Sequence, residues 1–167
     1  DATRAAVVGR AAERLRTLAL SVPIDATAVT GGLRSLAQAI AASQRGPAEQ
    51  WGWEQAVASS AASLSSLLEA RRWTDAIALA NVVRSLPTPP ADSLWREVSL
   101  VSWRHLLEET VAVALASREW GAAQDASQRS LADFPSDSVL RSLQAQVRLE
   151  AMPRESWSRY QDAQRAF

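Results

Sequence analysis

Two runs that each begin at a Trp restrict this chain more than any other feature. Residues 120–135 read WGAAQDASQRSLADFP, with Ala123 three residues after Trp120, Ser127 and Ser130 at seven and ten, and Pro135 at fifteen. From Trp73 the same offsets reach Ala76, Ala80 and Val83, and Pro87 closes the run at fourteen. The dipeptides before each Trp, Arg71-Arg72 and Arg118-Glu119, are also alike. Offsets of three, seven and ten lie on one face of an α-helix, and proline cannot continue a helix. A helix with a small-residue face, opened by a Trp and stopped by a Pro, therefore occurs twice. Such a face is what a second helix needs where it crosses a first one closely.

Helical periodicity fills the remainder in roughly eight stretches separated by Pro and Gly. The first covers about 3–20, with Val7, Ala11, Leu15 and Leu18 on one face. Asp25 caps a second helix with the stripe Val29, Leu33, Leu36 and Ile40, and Gly31-Gly32 inside it predicts a late start or a bend. Gly46-Pro47 breaks the chain, and Pro47 with Glu49 suits the first turn of a third helix. Trp53, Val57, Ala61, Leu64 and Leu68 form its predicted stripe. A fourth helix starts near Thr74 or Asp75, buries Ile77, Ala80 and Val83, and ends by Pro87. PTPP at 87–90 reads as a stiff connector. Asp92 caps a fifth helix reaching Ser117, with Leu94, Val98, Val101, Leu107, Val111 and Ala114 inward. The sixth spans about 121–133, and Ser136 or Asp137 caps the seventh, with Leu140, Leu143 and Val147 inward. Met152-Pro153 precedes an eighth, where Tyr160, Ala163 and Phe167 share a face.

A second step of 33 residues interlocks with the first. It carries Leu107, Thr110 and Ala114 onto Leu140, Leu143 and Val147, and Ala123, Ser127 and Ser130 onto Ser156, Tyr160 and Ala163. Self-similarity at such intervals is the mark of stacked helical hairpins, although the same small faces also serve a closed bundle.

Composition agrees with an all-α fold: strong helix formers abound, against six Gly and one Tyr. Eighteen basic and eighteen acidic residues give zero net charge, which argues against a dedicated nucleic-acid surface. Residues 1–46 hold six Arg against three acids, a surplus that reads as a solvated face. Every basic residue is Arg, so Schiff-base and phosphate-loop lysine chemistry is excluded. Without Cys there is no disulfide, thiol nucleophile or cysteine metal site, which fits a cytoplasmic protein. No apolar run approaches the ~20 residues that span a bilayer, so membrane insertion is not expected. A start at Asp1, without Met or a signal-like segment, suggests one continuous domain excised from a longer chain.

Little in the residues points to catalysis. His105 is the single histidine, too few for a triad or a His-based metal site. The neighbours Glu108 and Glu109 point to different sides of a helix. Ser59, Ser60, Ser63, Ser65 and Ser66 share one helix, as expected where close packing and solvent exposure alternate around it. No enzyme, cofactor or metal is expected.

The Trp-led units resemble the tetratricopeptide repeat, in which an aromatic precedes the second helix, an Ala follows three residues later and a Pro closes the unit. Trp120, Ala123, Ser127, Ser130 and Pro135 fit those places, as do Trp73, Ala76, Ala80 and Val83. The resemblance covers about 57–167 and is degenerate: Leu64, Val111 and Gln144 stand where the family has Gly in its first helix, and Pro153 stands where the last unit needs its aromatic. It implies antiparallel hairpins stacked in a right-handed array. With the helical stretches read above, the expectation is about eight helices, with 1–46 an N-terminal hairpin packed on the degenerate repeats of 47–167. It also implies a concave groove lined by the first helix of each hairpin. Carried across, the groove positions are Ala58, Ala61, Ser65, Leu68 and Glu69, then His105, Glu108, Ala112, Leu115 and Ala116, then Ser138, Arg141, Ala145, Arg148 and Leu149. Arg141 and Arg148 suit an acidic segment or a C-terminal carboxylate. The Asn and Lys of the family's carboxylate clamp are absent from these positions.

From Trp95 onward the chain also looks like the bacterial transcriptional activator domain, a tetratricopeptide-like module that usually follows a winged helix. The features are a Trp heading a long helix, WGAAQDASQRSLADFPSD, a further helix, and an amphipathic helix carrying Tyr160. Most of 1–90 has no counterpart in that pattern. The expected function is a non-enzymatic scaffold for protein or peptide binding or homo-oligomerisation, in a bacterial regulatory or secretion-type protein. The alternative is a ligand-sensing or oligomerising module of a transcription activator.

Overall fold

The computed structural model describes residues 2–21, 23–41, 47–85, 92–152 and 154–165. Among them the chain is all-α, with no strand. The helices are α1 (Ala2–Ala19), α2 (Ala26–Ala41), α3 (Pro47–Glu69), α4 (Trp73–Arg84), α5 (Asp92–Ser117), α6 (Gly121–Asp133), α7 (Ser138–Glu150) and α8 (Arg154–Arg165). Two compact units, Asp1–Ser102 and Trp103–Phe167, divide within α5. The expected stops at Gly46, Pro87 and Pro153, and the faces that needed the side chains of Trp53, Tyr160 and Phe167 or a cap from Asp92, lie outside the described residues and side chains.

In the first unit, α1 packs on α2 and α3, α2 packs on α3 and α4, and α3 packs on α4. Their shared core contains Val8, Leu15, Val29, Leu33, Leu36, Leu67, Leu79, Val83 and Trp95. The predicted α2 stripe is fully buried. Asp25 caps α2 by accepting the Ala28 N–H at 3.0 Å. The Gly pair neither delays nor breaks this helix, which is continuous from Ala26. A Cβ on Gly32 would lie 3.2 Å from Leu15 Cδ1, whereas one on Gly31 would meet open space. Gly32 thus serves the close approach of α1, not a bend. Gly52 does the same for α3, where a Cβ would come within 2.9 Å of Val8 Cγ1 and 3.1 Å of Ile40 Cδ1.

Three predicted stripes are out of phase with the structure. In α1 the buried positions are Val8, Ala12, Leu15 and Ala19; of the predicted stripe Leu15 is buried, Ala11 and Leu18 pack half-buried against the core, and Val7 is exposed. That helix meets two neighbours, so its buried band is wide and centres one residue later than the strongest apolar period. In α3 the inward residues are Ser59, Ser60, Ser63, Leu64 and Leu67, while Val57 and Ala61 face solvent. In α5 Trp95, Ser99, Ser102 and Trp103 are buried, while Leu94 is 54% exposed and Val101 also lies outside. Serines occupy buried positions on these helices, and a hydrophobic period cannot register them. The hydroxyls of Ser63, Ser99 and Ser102 have no hydrogen-bond partner among the described residues.

α4 begins at Trp73, one residue earlier than expected, and buries Ala76, Ile77, Leu79, Ala80, Val82 and Val83. Arg72 ties this start to the α1–α2 connection. Its guanidinium donates to the Ile24 carbonyl and, through Nε, to Asp75 at 2.8 Å.

In the second unit, α6 packs on α7. Leu107, Val111 and Ala114 of α5, Ala123, Ser127 and Ser130 of α6, and Leu140 and Val147 of α7 are buried as their spacing predicts. Leu143 is half-buried, and Ala126 is buried as well. Phe134, which the apolar periods did not mark, is buried with them.

Candidate functional site

The turns that precede α4 and α6 are built alike. Arg71 and Arg118 have φ of 54° and 66°, the only positive values at non-glycine residues among those described. Each stands two residues before its Trp. After α3, Arg71 N–H donates to Leu68 O at 3.1 Å and Arg72 N–H to Leu67 O at 2.9 Å. That pair of bonds is the Schellman closure of a helix end. After α5, Arg118 N–H donates to Ala114 O at 2.8 Å, the simpler left-handed closure. Glycine is the residue best suited to this backbone conformation, yet both turns use Arg.

A step of 47 residues connects more than the turns. It carries buried Ala76, Ala80 and Val83 onto buried Ala123, Ser127 and Ser130. It also carries Ser60, Leu64 and Leu67 of α3 onto Leu107, Val111 and Ala114 of α5, all buried. The step of 33 carries the same α5 positions from Leu107 and Ala114 onto Leu140 and Val147, again buried. It does not extend the small buried face into α8, where Ser156 and Ala163 are exposed.

Asp137 joins three parts of the second unit. It caps α7 by accepting the Leu140 N–H at 3.0 Å, and it receives two bonds from Arg104 of α5, one from Nε at 3.2 Å. The Asp137 side chain is 10% exposed and that of Arg104 35%. The Arg104 hydrogen bond, helped by the Leu140 N–H, holds the Asp137 carboxyl below the ordinary carboxylate range. The same bond raises the Arg104 guanidinium above its usual value. Nearby, Trp103 Nε1 donates to Asp133 at 3.0 Å, and Arg129 lies over the Trp103 ring, 5.5 Å from its centroid. The sequence reading identified the Asp137 cap but not these α5 partners. No local signal in the sequence marks these partners, because the bonds join groups on different helices.

The expected groove residues lie on helix faces that point to solvent. In the first unit Ser65 and Glu69 of α3 are exposed and Leu68 is half-buried. In the second unit His105, Glu108, Ala112 and Leu115 of α5 are exposed, as are Arg141, Ala145 and Arg148 of α7. The Arg104–Asp137 bond brings the start of α7 to α5, so these last two groups belong to one packed body. His105 Nδ1 lies 3.6 Å from Glu108 Oε2. Arg141 does not stand wholly free: its Nε donates to the Pro135 carbonyl at 2.8 Å, bracing the α6–α7 turn. Arg148 has no hydrogen-bond or ion-pair partner among the described residues. Among those residues no three His, Cys, Asp or Glu side chains gather as metal ligands, and no helix is long and apolar enough to cross a membrane.

Comparison with protein-family models, curated proteins and solved structures returns no match.

Proposed function

We propose that this chain is a non-enzymatic helical-repeat scaffold of tetratricopeptide-like organisation, binding a protein or peptide partner through the outer faces of α5 and α7. The observation that carries this reading is the step of 47, in which turn conformation and buried positions recur together, while a step of 33 repeats buried positions alone. Recurrent burial on one side of α3, α5 and α7 leaves recurrent exposure on the other, where the expected contact residues lie. A scaffold needs such a surface and no reacting group. The Cys-free composition fits a cytoplasmic setting, within a bacterial regulatory or secretion-type protein.

The second reading, a ligand-sensing or oligomerising module of a bacterial transcription activator, is favoured by one feature. A long α5 headed by a buried Trp95 precedes the WGAAQDASQRSLADFPSD run.

A photo-crosslinking amino acid placed in turn at Ala112, Ala145 and Ala122 tests the main reading. All three positions are exposed, with Ala122 on α6 as the control. Position-dependent adducts from Ala112 and Ala145, absent at Ala122, are expected. Equal yields at all three positions count against a contact face. Light scattering on the purified chain separates a second copy from a foreign partner.

A further inference from the structure

Resting on the scaffold reading, we infer that the exposed face of α7 takes an acidic amphipathic segment, with two carboxylates of the partner facing Arg141 and Arg148. Both arginines lie on one face with Ala145 between them, seven residues apart. That spacing is about 10 Å along a helix axis. A partner helix with carboxylates two turns apart has the same separation.

Four acids of the second unit are engaged away from the outer face of α7. Asp137 is taken by Arg104, Asp133 by the Trp103 indole, Asp125 lies 3.5 Å from Arg129, and Glu108 lies beside His105 on α5 itself. Arg148 is left without a partner among the described residues, and Arg141 is held through Nε alone. The bond to the Pro135 carbonyl fixes that guanidinium and leaves its terminal nitrogens for an incoming carboxylate. Ala145 adds no bulk between the two cations, so a partner backbone can approach α7 closely. Leu149, 47% exposed, follows Ala145 by four residues and gives the segment an apolar contact. An acidic partner thus gains two charge-assisted contacts and one apolar one, whereas a basic partner meets two like charges.

The test uses the full 167-residue chain and a labelled helical peptide with two Glu on one face, two turns apart, and Leu between them. A copy with Lys at both Glu positions is the control, and fluorescence anisotropy is the readout. Saturable binding of the Glu peptide alone is expected. Arg148→Glu should weaken it about tenfold or more, and Arg148→Lys much less. Arg148 has no hydrogen-bond or ion-pair partner among the described residues and lies in the last turn of α7. Arg148→Lys therefore keeps the wild-type melting curve and Arg148→Glu lowers it only slightly through the helix dipole, which separates this effect from loosening of the α6–α7 turn in Arg141→Glu. Equal binding of the Glu and Lys peptides, no saturable binding of either, or an unchanged affinity in Arg148→Glu each overturns the inference. If it fails while crosslinking at Ala112 and Ala145 remains position-dependent, the acidic partner is wrong and the scaffold reading stands. If both fail, the scaffold reading falls too.

Discussion

Removing Asp137 tests the most concentrated set of interactions in the second unit. Replacement by Ala deletes the cap on α7, worth about 1 kcal/mol, together with the bonds from Arg104. A buried charge-assisted hydrogen bond contributes about 1.5–3 kcal/mol, but Arg104 keeps 35% of its side-chain surface in solvent. Screening moves the pair towards the exposed range of about 0.2–1 kcal/mol, so about 1 kcal/mol is expected here. Asp137→Ala should therefore cost about 2 kcal/mol, and Asp137→Asn, which still caps, about 1 kcal/mol. Arg104→Met keeps the apolar stem and should cost about 1 kcal/mol. The double variant Arg104→Met, Asp137→Asn should cost little more than either single one. Urea unfolding measures the totals, and hydrogen exchange at the Leu140 and Val147 amides reads the second unit itself. A coupling below about 0.3 kcal/mol in this cycle, or equal losses for Asn and Ala, would refute the reasoning.

The sign of the pH dependence follows from the same bond. The folded Asp137 carboxyl titrates below its unfolded value, which is about 3.9 for an ordinary Asp. Its contribution is thus complete above that value and is lost as the pH falls through the lowered folded one. The stability gap between wild type and Asp137→Asn should close on acidification below about pH 4 and stay constant from pH 6 to about 8.

Two further substitution sets test the packing and the turns. Gly31→Ala, facing open space in mid-α2, should stabilise by up to about 1 kcal/mol, whereas Gly52→Ala should lose about 1 kcal/mol or more by overpacking Val8 and Ile40. Thermal melts of the two variants moving in the same direction would contradict this account of α3. Arg71→Gly and Arg118→Gly should each gain about 0.5–1 kcal/mol, since glycine adopts the left-handed conformation without strain but also adds freedom to the unfolded chain. A loss in urea titrations would mean that these arginines make contacts outweighing the backbone strain.

Much of this architecture is legible before folding because helix ends are local. Asp25, Pro47, Asp137 and the Trp-led starts act within one turn of themselves, and they mark α2, α3, α7, α4 and α6. The C-terminal half of α5 and all of α7 are equally plain, since each shows one narrow apolar stripe. The faces of α3 and of the first half of α5 are not. There Ser59, Ser60, Ser63, Ser99 and Ser102 point inward while Val57, Leu94 and Val101 point out. A buried serine is invisible to a reading that looks for apolar periods. The exposure of His105, Glu108, Arg141, Ala145 and Arg148 was legible, because it is the complement of the correctly phased stripes of α5 and α7. The bond that engages Arg141 was not, because it depends on where the Pro135 carbonyl points.

The sequence alone determined that this chain is helical and where most of its helices begin. Those are properties of residues a few positions apart. Only the tertiary structure decided which serines replace apolar residues in the core, that Gly32 and Gly52 admit a neighbour, and that Arg104 reaches Asp137. Each of these depends on the distance between groups on different helices, a quantity set when the helices pack and carried by no single segment.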